Sequence, residues 1–412
     1  MVSAPAQGKI LNPVEVNECV YSYWEQRVKS GLIDAKAATE TAKAALYPSI
    51  TGNVAGQEDL LAQPSTGVNT GANIDLTQQI VNFSQWANIH AKKISEKAAQ
   101  LDLEDQLLTL MRAATKSYFD YLQGESRLKL LQKRVSRLVK AVDLAKELSR
   151  LRLNDSSAIF LAQADKVQLD ISIANLQTDT VALLTSLQAA IGFSTGSLEL
   201  DDSYTPQANG DLSYWTKKID ELPAIEVLKV RAEAAGATAT STRDQIIPSL
   251  SFSTYFGQVP ASEGINPGGG SALVLLNLSV PIFDQGIRSI QTQQAESQKS
   301  VNEALVSSKR EQLLAEIKNL LNQWQANENI LNLAKDQLDN AQRGYSDVFT
   351  LFTFGKASFV AVKNSEASLV EAEIQLETVR KKIAEEKTIL ELLGGYFRGR
   401  HQSVAKNLKC PR

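Results

Sequence analysis

The sequence predicts a mainly α-helical protein with a small β part, built as two copies of one module. The first observation is a repeat: Tyr-Pro-Ser-Ile around Pro48 returns as Ile-Pro-Ser-Leu around Pro248. Two short alternating segments follow each proline, and a long run without proline follows those segments. The spacing between equivalent positions stays nearly constant along the two copies, which indicates an internal duplication.

The composition excludes several functional classes. The chain has 412 residues, 22% of them charged, and a net charge of −3, so that no broad basic surface is available for nucleic acid. Only two His and two Cys occur, which disfavours a His/Cys metal site and His-based catalysis. We therefore predict no cofactor and no enzymatic activity. Cys19 and Cys410 lie near opposite ends and can pair only if the ends meet, which we do not expect.

The first part of each copy predicts a helix followed by two strands. An alanine-rich helix over 15–46 ends at Pro48, because the residue before proline avoids helical geometry. The predicted strands are 48–57, 72–83, 248–258 and 271–283. In the last strand one face carries Ala272, Val274, Leu276, Leu278, Val280 and Ile282. This alternation extends over about ten residues, the length of a membrane-spanning strand.

Two very long helices are predicted over 84–150 and 286–353, where no proline interrupts the chain. Heptad seams run along both of them. One seam of the first helix consists of Leu107, Ala114, Tyr121, Leu128, Val135 and Val142, and one of the second consists of Ile317, Trp324, Leu331, Leu338, Tyr345 and Phe352. A helix of this length extends roughly 100 Å, which is more than a compact domain of this size contains.

A tight turn ends each long helix and a shorter helix follows it. The turns are predicted at 153–156 and 354–357, and the return helices at 157–191 and 357–393. Gly355 suits the left-handed position after a helix, and Asn154 is the next-best residue for it. A helix over 222–246 opens the second copy, and the stretch 193–222 is predicted to be irregular.

These boundaries predict four regions. They are a first repeat over 1–192, a linking segment over 193–222, a second repeat over 223–395 and a tail over 396–412. The β part of the protein comes from 47–83 and 247–284.

With these motifs in order and in both halves, the chain resembles the TolC family of outer-membrane factors, the exit ducts of tripartite efflux pumps and type I secretion systems. The resemblance covers about residues 25–397. It depends on the Pro-Ser-aliphatic strand starts, on Leu-Ser-Val-Pro-Ile-Phe-Asp at 278–284 and on Phe-Gly-Lys-Ala-Ser at 354–358.

The resemblance implies a homotrimer in the outer membrane that extends into the periplasm. Each protomer would give four strands to a twelve-stranded β-barrel, and its helices would build an α-helical coiled-coil barrel. The partners implied are outer-membrane lipid, a periplasmic adaptor and an inner-membrane transporter. The adaptor would contact the tip turns, which contain Leu153, Asn154, Asp155, Phe354, Gly355 and Lys356.

The sequence departs from the family pattern at the periplasmic mouth. Ala361 and Asn364 stand where family members carry aspartates, so that the aspartate constriction is not carried over. The segment after Met1 has neither a basic region nor an apolar core, and we expect no signal peptide in this chain.

The leading interpretation is a passive outer-membrane exit duct, opened when an adaptor and a transporter dock. The alternative is a periplasmic coiled-coil scaffold or adaptor without a membrane barrel. That alternative requires strands that are polar on both faces, and Ser49, Thr51 and Asn53 in the first strand leave it open. The residues do not distinguish drug, metal and protein cargo.

Overall fold

The computed structural model describes residues 10–57, 69–151, 157–192, 198–208, 210–257, 271–395 and 410. Its elements in chain order are β1 (Ile10–Leu11), α1 (Pro13–Val28), α2 (Ser30–Ala44), β2 (Ser49–Gln57), β3 (Asn69–Val81), α3 (Phe83–Arg150), α4 (Ser157–Ile191), β4 (Glu199–Leu200), α5 (Leu212–Lys218), α6 (Pro223–Arg243), β5 (Ser249–Gly257), β6 (Ser271–Ser279), α7 (Ile287–Thr353) and α8 (Phe359–Leu393). The prediction of a mainly helical protein with a small β part is confirmed.

The order of elements is the same in the two halves of the chain. A helix, a strand pair, a long helix and a return helix follow one another as α2 to α4 and again as α6 to α8. The four predicted regions, bounded at 1–192, 193–222, 223–395 and 396–412, stay a prediction.

Three local expectations were wrong. The last strand was expected over 271–283, but β6 ends at Ser279, before Pro281, so that Val280 and Ile282 lie beyond it. The helix expected over 15–46 is two helices, interrupted at Lys29 beside Ser30 and Gly31, where low helix propensity weakens the backbone. The stretch expected to be irregular over 193–222 contains β4 and α5. Asp211 caps α5, because its side chain accepts a hydrogen bond from the Ser213 N–H.

The residues divide into two compact units. The helical unit comprises Met1–Val28, Asp105–Leu222 and Glu311–Arg412, and the sheet unit comprises Lys29–Glu104 and Pro223–Arg310. The long helices α3 and α7 contribute residues to both.

The sheet unit is built on four antiparallel strands in the order β2-β3-β5-β6. The register places Thr51 opposite Asp75, Asp75 opposite Tyr255, and Tyr255 opposite Leu273. The neighbouring strands β3 and β5 come from different halves of the chain, so that the duplicated hairpins form one continuous sheet.

Short helices of the sheet unit pack on the first part of α3. From α2, the Thr39 hydroxyl donates to the Lys92 carbonyl oxygen at 3.3 Å, and from α3 the Gln85 amide donates to the Ala42 carbonyl oxygen at 2.6 Å. On α6, Val230 and Ala234 form an apolar cluster with residues of α3. Small side chains at such contacts allow helix backbones to approach closely.

The heptad seams form the interior of the helical unit. Among the seam residues listed for α3, Leu107 and Ala114 are fully buried, and the others are buried or half-buried. Ile317 and Phe352 on α7 are also fully buried. The seams therefore account for core packing, as expected.

The start of α1 is fixed by a capping box. The Glu15 N–H donates to the Asn12 side chain at 2.9 Å, and the Asn12 N–H donates to the Glu15 carboxylate at 3.1 Å. Pro13 occupies the first helical position, where its missing N–H costs nothing.

A disulfide joins Cys19 on α1 to Cys410. The expectation that the two ends do not meet was wrong. Cys19 is buried in the core cluster of the helical unit, and Cys410 packs against the same cluster. In that cluster the Tyr118 hydroxyl donates to the Asp201 carbonyl oxygen at 2.6 Å, and β1 pairs in parallel with β4.

Glu386 on α8 is a buried acid whose ionisation opposes folding. Its side chain accepts a hydrogen bond from Asn327 at 2.8 Å, but its second oxygen has no partner among the described residues. Burial, together with the charge of Glu385, raises the pKa of Glu386 to about 7.

The raised pKa predicts the pH dependence of stability. Protonated Glu386 stabilises the folded state. This stabilisation is complete below the ordinary carboxyl pKa and is lost as the pH rises through about 7. We expect Glu386→Gln to raise stability at pH 8 by on the order of 2 kcal/mol and to have little effect at pH 4. Thermal unfolding in detergent at both pH values measures this difference. The same substitution at the exposed Glu371 is the control, and an equal response at both sites would contradict the prediction.

Candidate functional site

One face of the four-stranded sheet is mostly apolar and largely exposed, with Gln78 and Thr254 as polar exceptions. Its members alternate along every strand and lie opposite one another in register: Ile50, Val54, Ile74, Leu76, Leu250, Phe252, Phe256, Val274, Leu276 and Leu278. Val54 is 84% exposed and Leu276 is 67% exposed. A face of this extent is far more apolar than a surface in contact with water normally is.

The opposite face is mostly polar. It carries Ser49, Thr51, Asn53, Asn73, Asp75, Thr77, Gln79, Ser251, Ser253, Tyr255 and Asn277. The sequence left open whether the first strand is polar on both faces, because it contains Ser49, Thr51 and Asn53. All three residues lie on this one face. Leu273 and Leu275 of β6 are its apolar exceptions.

Both outer strands of the sheet have a free edge. The described residues pair β2 only with β3, and β6 only with β5. Unpaired backbone N–H and C=O groups along such edges pair readily with another strand. The sheet is therefore suited to continue into further strands on either side.

Aromatic side chains surround one end of the sheet, where the strands connect to helices. Tyr47 precedes β2, Phe283 follows β6, and Phe83 and Trp86 begin α3. Their exposed fractions range from 44% for Trp86 to 82% for Phe283. The rings of Phe83 and Trp86 meet edge to face, with their centroids 5.2 Å apart.

The turn between α7 and α8 has the geometry expected from its sequence. Gly355 has a φ of +67°, the left-handed conformation that favours glycine. The N–H of Gly355 donates to the Phe352 carbonyl oxygen, and that of Lys356 donates to the Leu351 carbonyl oxygen. Ser358 then caps α8 by accepting from the Ala361 N–H at 3.2 Å.

The structure describes only part of the predicted contact and mouth residues. Leu153, Asn154 and Asp155 lie outside the described residues. At the second turn, Phe354 is 68% exposed, and Lys356 is exposed beside it. Asn364 is exposed, whereas Ala361 is half-buried.

A buried charge network near this turn was not predicted from the sequence. Glu366 on α8 is 5% exposed and accepts from two arginines of α3, Arg134 at 2.8 Å and Arg137 at 3.1 Å. Arg137 also binds Glu373 through two hydrogen bonds. Burial would lower the pKa of Arg137, but Glu373 and Glu366 raise it overall.

The network joins helices of both halves around an apolar cluster. Lys363 on α8 pairs with Asp165 on α4 at 2.7 Å. The cluster beneath contains Leu138, Ala141, Val142, Ala145, Leu148, Ala162, Phe352, Phe359 and Val362. The tip region is thus a packed bundle of α3, α4, α7 and α8 rather than two independent hairpins.

The described residues contain no metal-binding cluster of three or more His, Cys, Asp and Glu side chains. Of the helices that the structure describes, none has an apolar stretch suited to a membrane span.

Residues 218–395 match the family of outer membrane efflux proteins. No curated protein sequence matches the chain significantly. The matched segment begins in α5 and includes the second strand pair, α7, and α8 with Glu366 and Glu373.

Several solved structures share the fold over most of the chain. CusC is 16% identical with a TM-score of 0.78, and the alignment covers 96% of this chain and 95% of CusC. The outer membrane protein VceC from Vibrio cholerae is 15% identical with a TM-score of 0.76, covering 92% of this chain and 96% of VceC. The outer membrane channel CmeC from Campylobacter jejuni is 13% identical with a TM-score of 0.76, covering 93% and 85%.

These comparisons confirm the resemblance that the repeated motifs indicate. Identities of this size show a common fold, and the family match adds the efflux protein domain in the second half. The matched family and structures are described as efflux, channel or outer membrane proteins, and none of them as an enzyme.

Proposed function

We propose that this chain is one subunit of a passive outer-membrane export duct, as the efflux protein match over residues 218–395 and the fold shared with outer membrane channels support. The observation that carries the proposal is a sheet with one apolar face, one polar face and two free edges. Lipid covers the apolar face and water fills the space beside the polar face. Export through such a duct requires no bond chemistry at this subunit.

The free edges support a trimer. Unpaired strand edges are not tolerated within the hydrocarbon of a bilayer, so that a spanning sheet must close on itself. Four strands are too few to close alone, whereas three copies supply twelve strands. We therefore propose that β2 of one protomer pairs with β6 of its neighbour.

Two further features support a location in the outer membrane with a periplasmic part. The exposed rings of Tyr47, Phe83, Trp86 and Phe283 lie at one end of the sheet, as the aromatic girdle of a membrane barrel does. The Cys19–Cys410 disulfide requires an oxidising compartment such as the periplasm. The alternative of a scaffold without a barrel would leave the apolar face of the sheet in water.

Neighbouring residues of β6 provide a matched test of this orientation. Leu276 lies on the apolar face and Asn277 on the polar face. A lysine facing lipid near the bilayer midplane costs about 2–4 kcal/mol, and a trimer would contain three. We expect Leu276→Lys to abolish the trimer seen in outer-membrane fractions on unheated gels, and Asn277→Lys to retain it. Equal effects of both substitutions, or a freely soluble wild-type monomer, would contradict the proposed duct.

We further propose that the turn between α7 and α8 is a docking point for a periplasmic adaptor, which opens the duct together with an inner-membrane transporter. Phe354 and Leu351 expose large apolar side chains next to Lys356, and exposed apolar residues of this kind are typical of partner contacts. We propose the same contact for the first turn, which contains Leu153, Asn154 and Asp155, because it occupies the equivalent position in the first repeat.

The tip proposal predicts a loss of export without a loss of assembly. Phe354→Asp places a charge on the proposed contact and leaves the packed bundle beneath it unchanged. We expect the variant to abolish export in cells that carry the adaptor and transporter of this duct, measured as dye efflux, while the trimer level stays normal. Ser346→Asp, at another exposed position of α7, is the control. Unchanged efflux in Phe354→Asp would refute the contact at this turn.

A further inference from the structure

Asp75 is the only charged residue in the four described strands. The sequences of β2, β3, β5 and β6 contain no Lys, Arg, His or Glu, and Asp75 on β3 is their single Asp. A single formal charge in an otherwise uncharged wall dominates the electric field that the wall creates.

No basic residue occurs in the two hairpin connections, 58–68 between β2 and β3 and 258–270 between β5 and β6. The chain has no Lys or Arg between Lys43 and Lys92, and none between Arg243 and Arg288. The connections contribute further acidic residues, Glu58, Asp59 and Glu263. Every formal charge of the four strands and of the two hairpin connections is therefore negative.

The carboxylate of Asp75 is held in place by neutral groups. It lies on the polar face, opposite Thr51 and Tyr255. The Asn53 amide donates to it at 2.8 Å and the Asn73 amide at 2.5 Å. Amides orient a carboxylate without neutralising its charge.

We propose that Asp75 makes the barrel of the duct prefer cations over anions, and that the duct therefore favours cationic or neutral cargo over organic anions. The proposal deepens the proposed function and depends on it, because only a trimeric barrel brings three Asp75 carboxylates to one water-filled lumen. Rings of acidic side chains select cations in channels by this electrostatic effect.

The neutral residues at the predicted mouth positions strengthen the inference. Ala361 and Asn364 carry no charge, so that the mouth has no aspartates at these positions to impose the same selectivity. The strands of the sheet, by contrast, carry the Asp75 charge and no basic residue.

The expected size of the cation preference follows from Coulomb's law with screening by salt. Three carboxylates about 9 Å from the axis of a water-filled lumen favour a monovalent cation over an anion roughly fivefold at 0.1 M salt. At 1 M salt the Debye length falls to about 3 Å, and the preference disappears. This salt dependence distinguishes a field effect from a change in pore shape.

The test measures reversal potentials of the full-length trimer in planar lipid bilayers under a KCl gradient. We expect the wild-type pore to prefer K⁺ at low salt, Asp75→Asn to lose the preference, and Asp75→Lys to prefer Cl⁻. Asp75→Glu should retain cation preference. The relocation variant combines Asp75→Asn with Ser253→Asp, at the polar-face position opposite Thr77, and should restore selectivity.

Each outcome decides the proposal. Equal ion preference of wild type and Asp75→Asn, in trimers of equal conductance, would overturn the role of Asp75 and leave the duct intact. A wild-type chain that forms neither trimers nor pores would overturn the proposed function and this inference together. A preference that persists at 1 M salt would also contradict the field effect.

Discussion

Glu366→Gln should lower the free energy of unfolding of the helical unit by about 3–5 kcal/mol, the usual cost of removing one partner of a buried ion pair. The substitution leaves the Arg134 guanidinium without its carboxylate and removes one of the two partners of Arg137. Both arginines lie mostly buried between α3 and α8, with side-chain exposures of 27% and 21%. Hydration therefore stabilises their charges poorly once the carboxylate is removed. Thermal unfolding of the purified protein in detergent, followed by circular dichroism, measures the loss.

Matched variants separate the buried network from ordinary surface pairs. Glu377→Gln on the same helix removes a pair with Arg380 one turn away, and we expect it to cost less than about 1 kcal/mol. Combining Arg134→Met with Glu366→Leu replaces the pair by apolar side chains and should recover much of the lost stability. A Glu366→Gln variant as stable as Glu377→Gln would show that the network contributes nothing.

Cys19→Ser should lower the melting temperature of the helical unit through loss of the disulfide with Cys410. The bond closes a loop of sequence separation 391. In the chain-entropy model, a loop of this length stabilises a protein by about 6 kcal/mol, which is above the roughly 0–5 kcal/mol usually measured. Thermal unfolding of wild type and variant, with and without reductant, measures the effect.

The two cysteines provide an internal control. Cys19→Ser, Cys410→Ser and the double variant should have the same melting temperature. Reductant should lower the melting temperature of the wild type to that value. Reductant should have no effect on the variants. If Cys410→Ser left the melting temperature unchanged, the disulfide would contribute nothing to the stability of this unit.

The sequence predicts the regular elements because their signals are local and repeated. Pro48 and Pro248 mark the strand starts, since proline ends a helix. The alternation of β6 separates its two faces correctly, and Gly355 has the left-handed backbone that its place after α7 indicates. The heptad seams identify the buried positions of α3 and α7.

Some observed features have a local signal in the sequence that predicts them. Asn12-Pro13-Val14-Glu15 is a capping box with proline at the first helical position, and it predicts the start of α1 at the observed residue. The interruption at Lys29 has a weaker signal, because Ser30-Gly31 lowers helix propensity without excluding a helix.

Other features depend on the fold and have no local signal. The register of β3 with β5 joins residues of different halves. Arg134, Arg137, Glu366 and Glu373 look in sequence like the solvated face of a long helix, and only the packing of α8 on α3 buries them. The Cys19–Cys410 pair likewise requires that the two ends of the chain meet.

The central claim is that the hairpins of three chains close into one barrel. Electron cryo-microscopy of the detergent-purified full-length protein tests it most directly, because the strands and the symmetry are counted in one map. The account predicts a threefold-symmetric particle in which twelve strands form a closed ring, with β2 of each protomer paired to β6 of the next. A particle in which the four-stranded sheet keeps its edges open, or in which a different number of strands closes the ring, would contradict it.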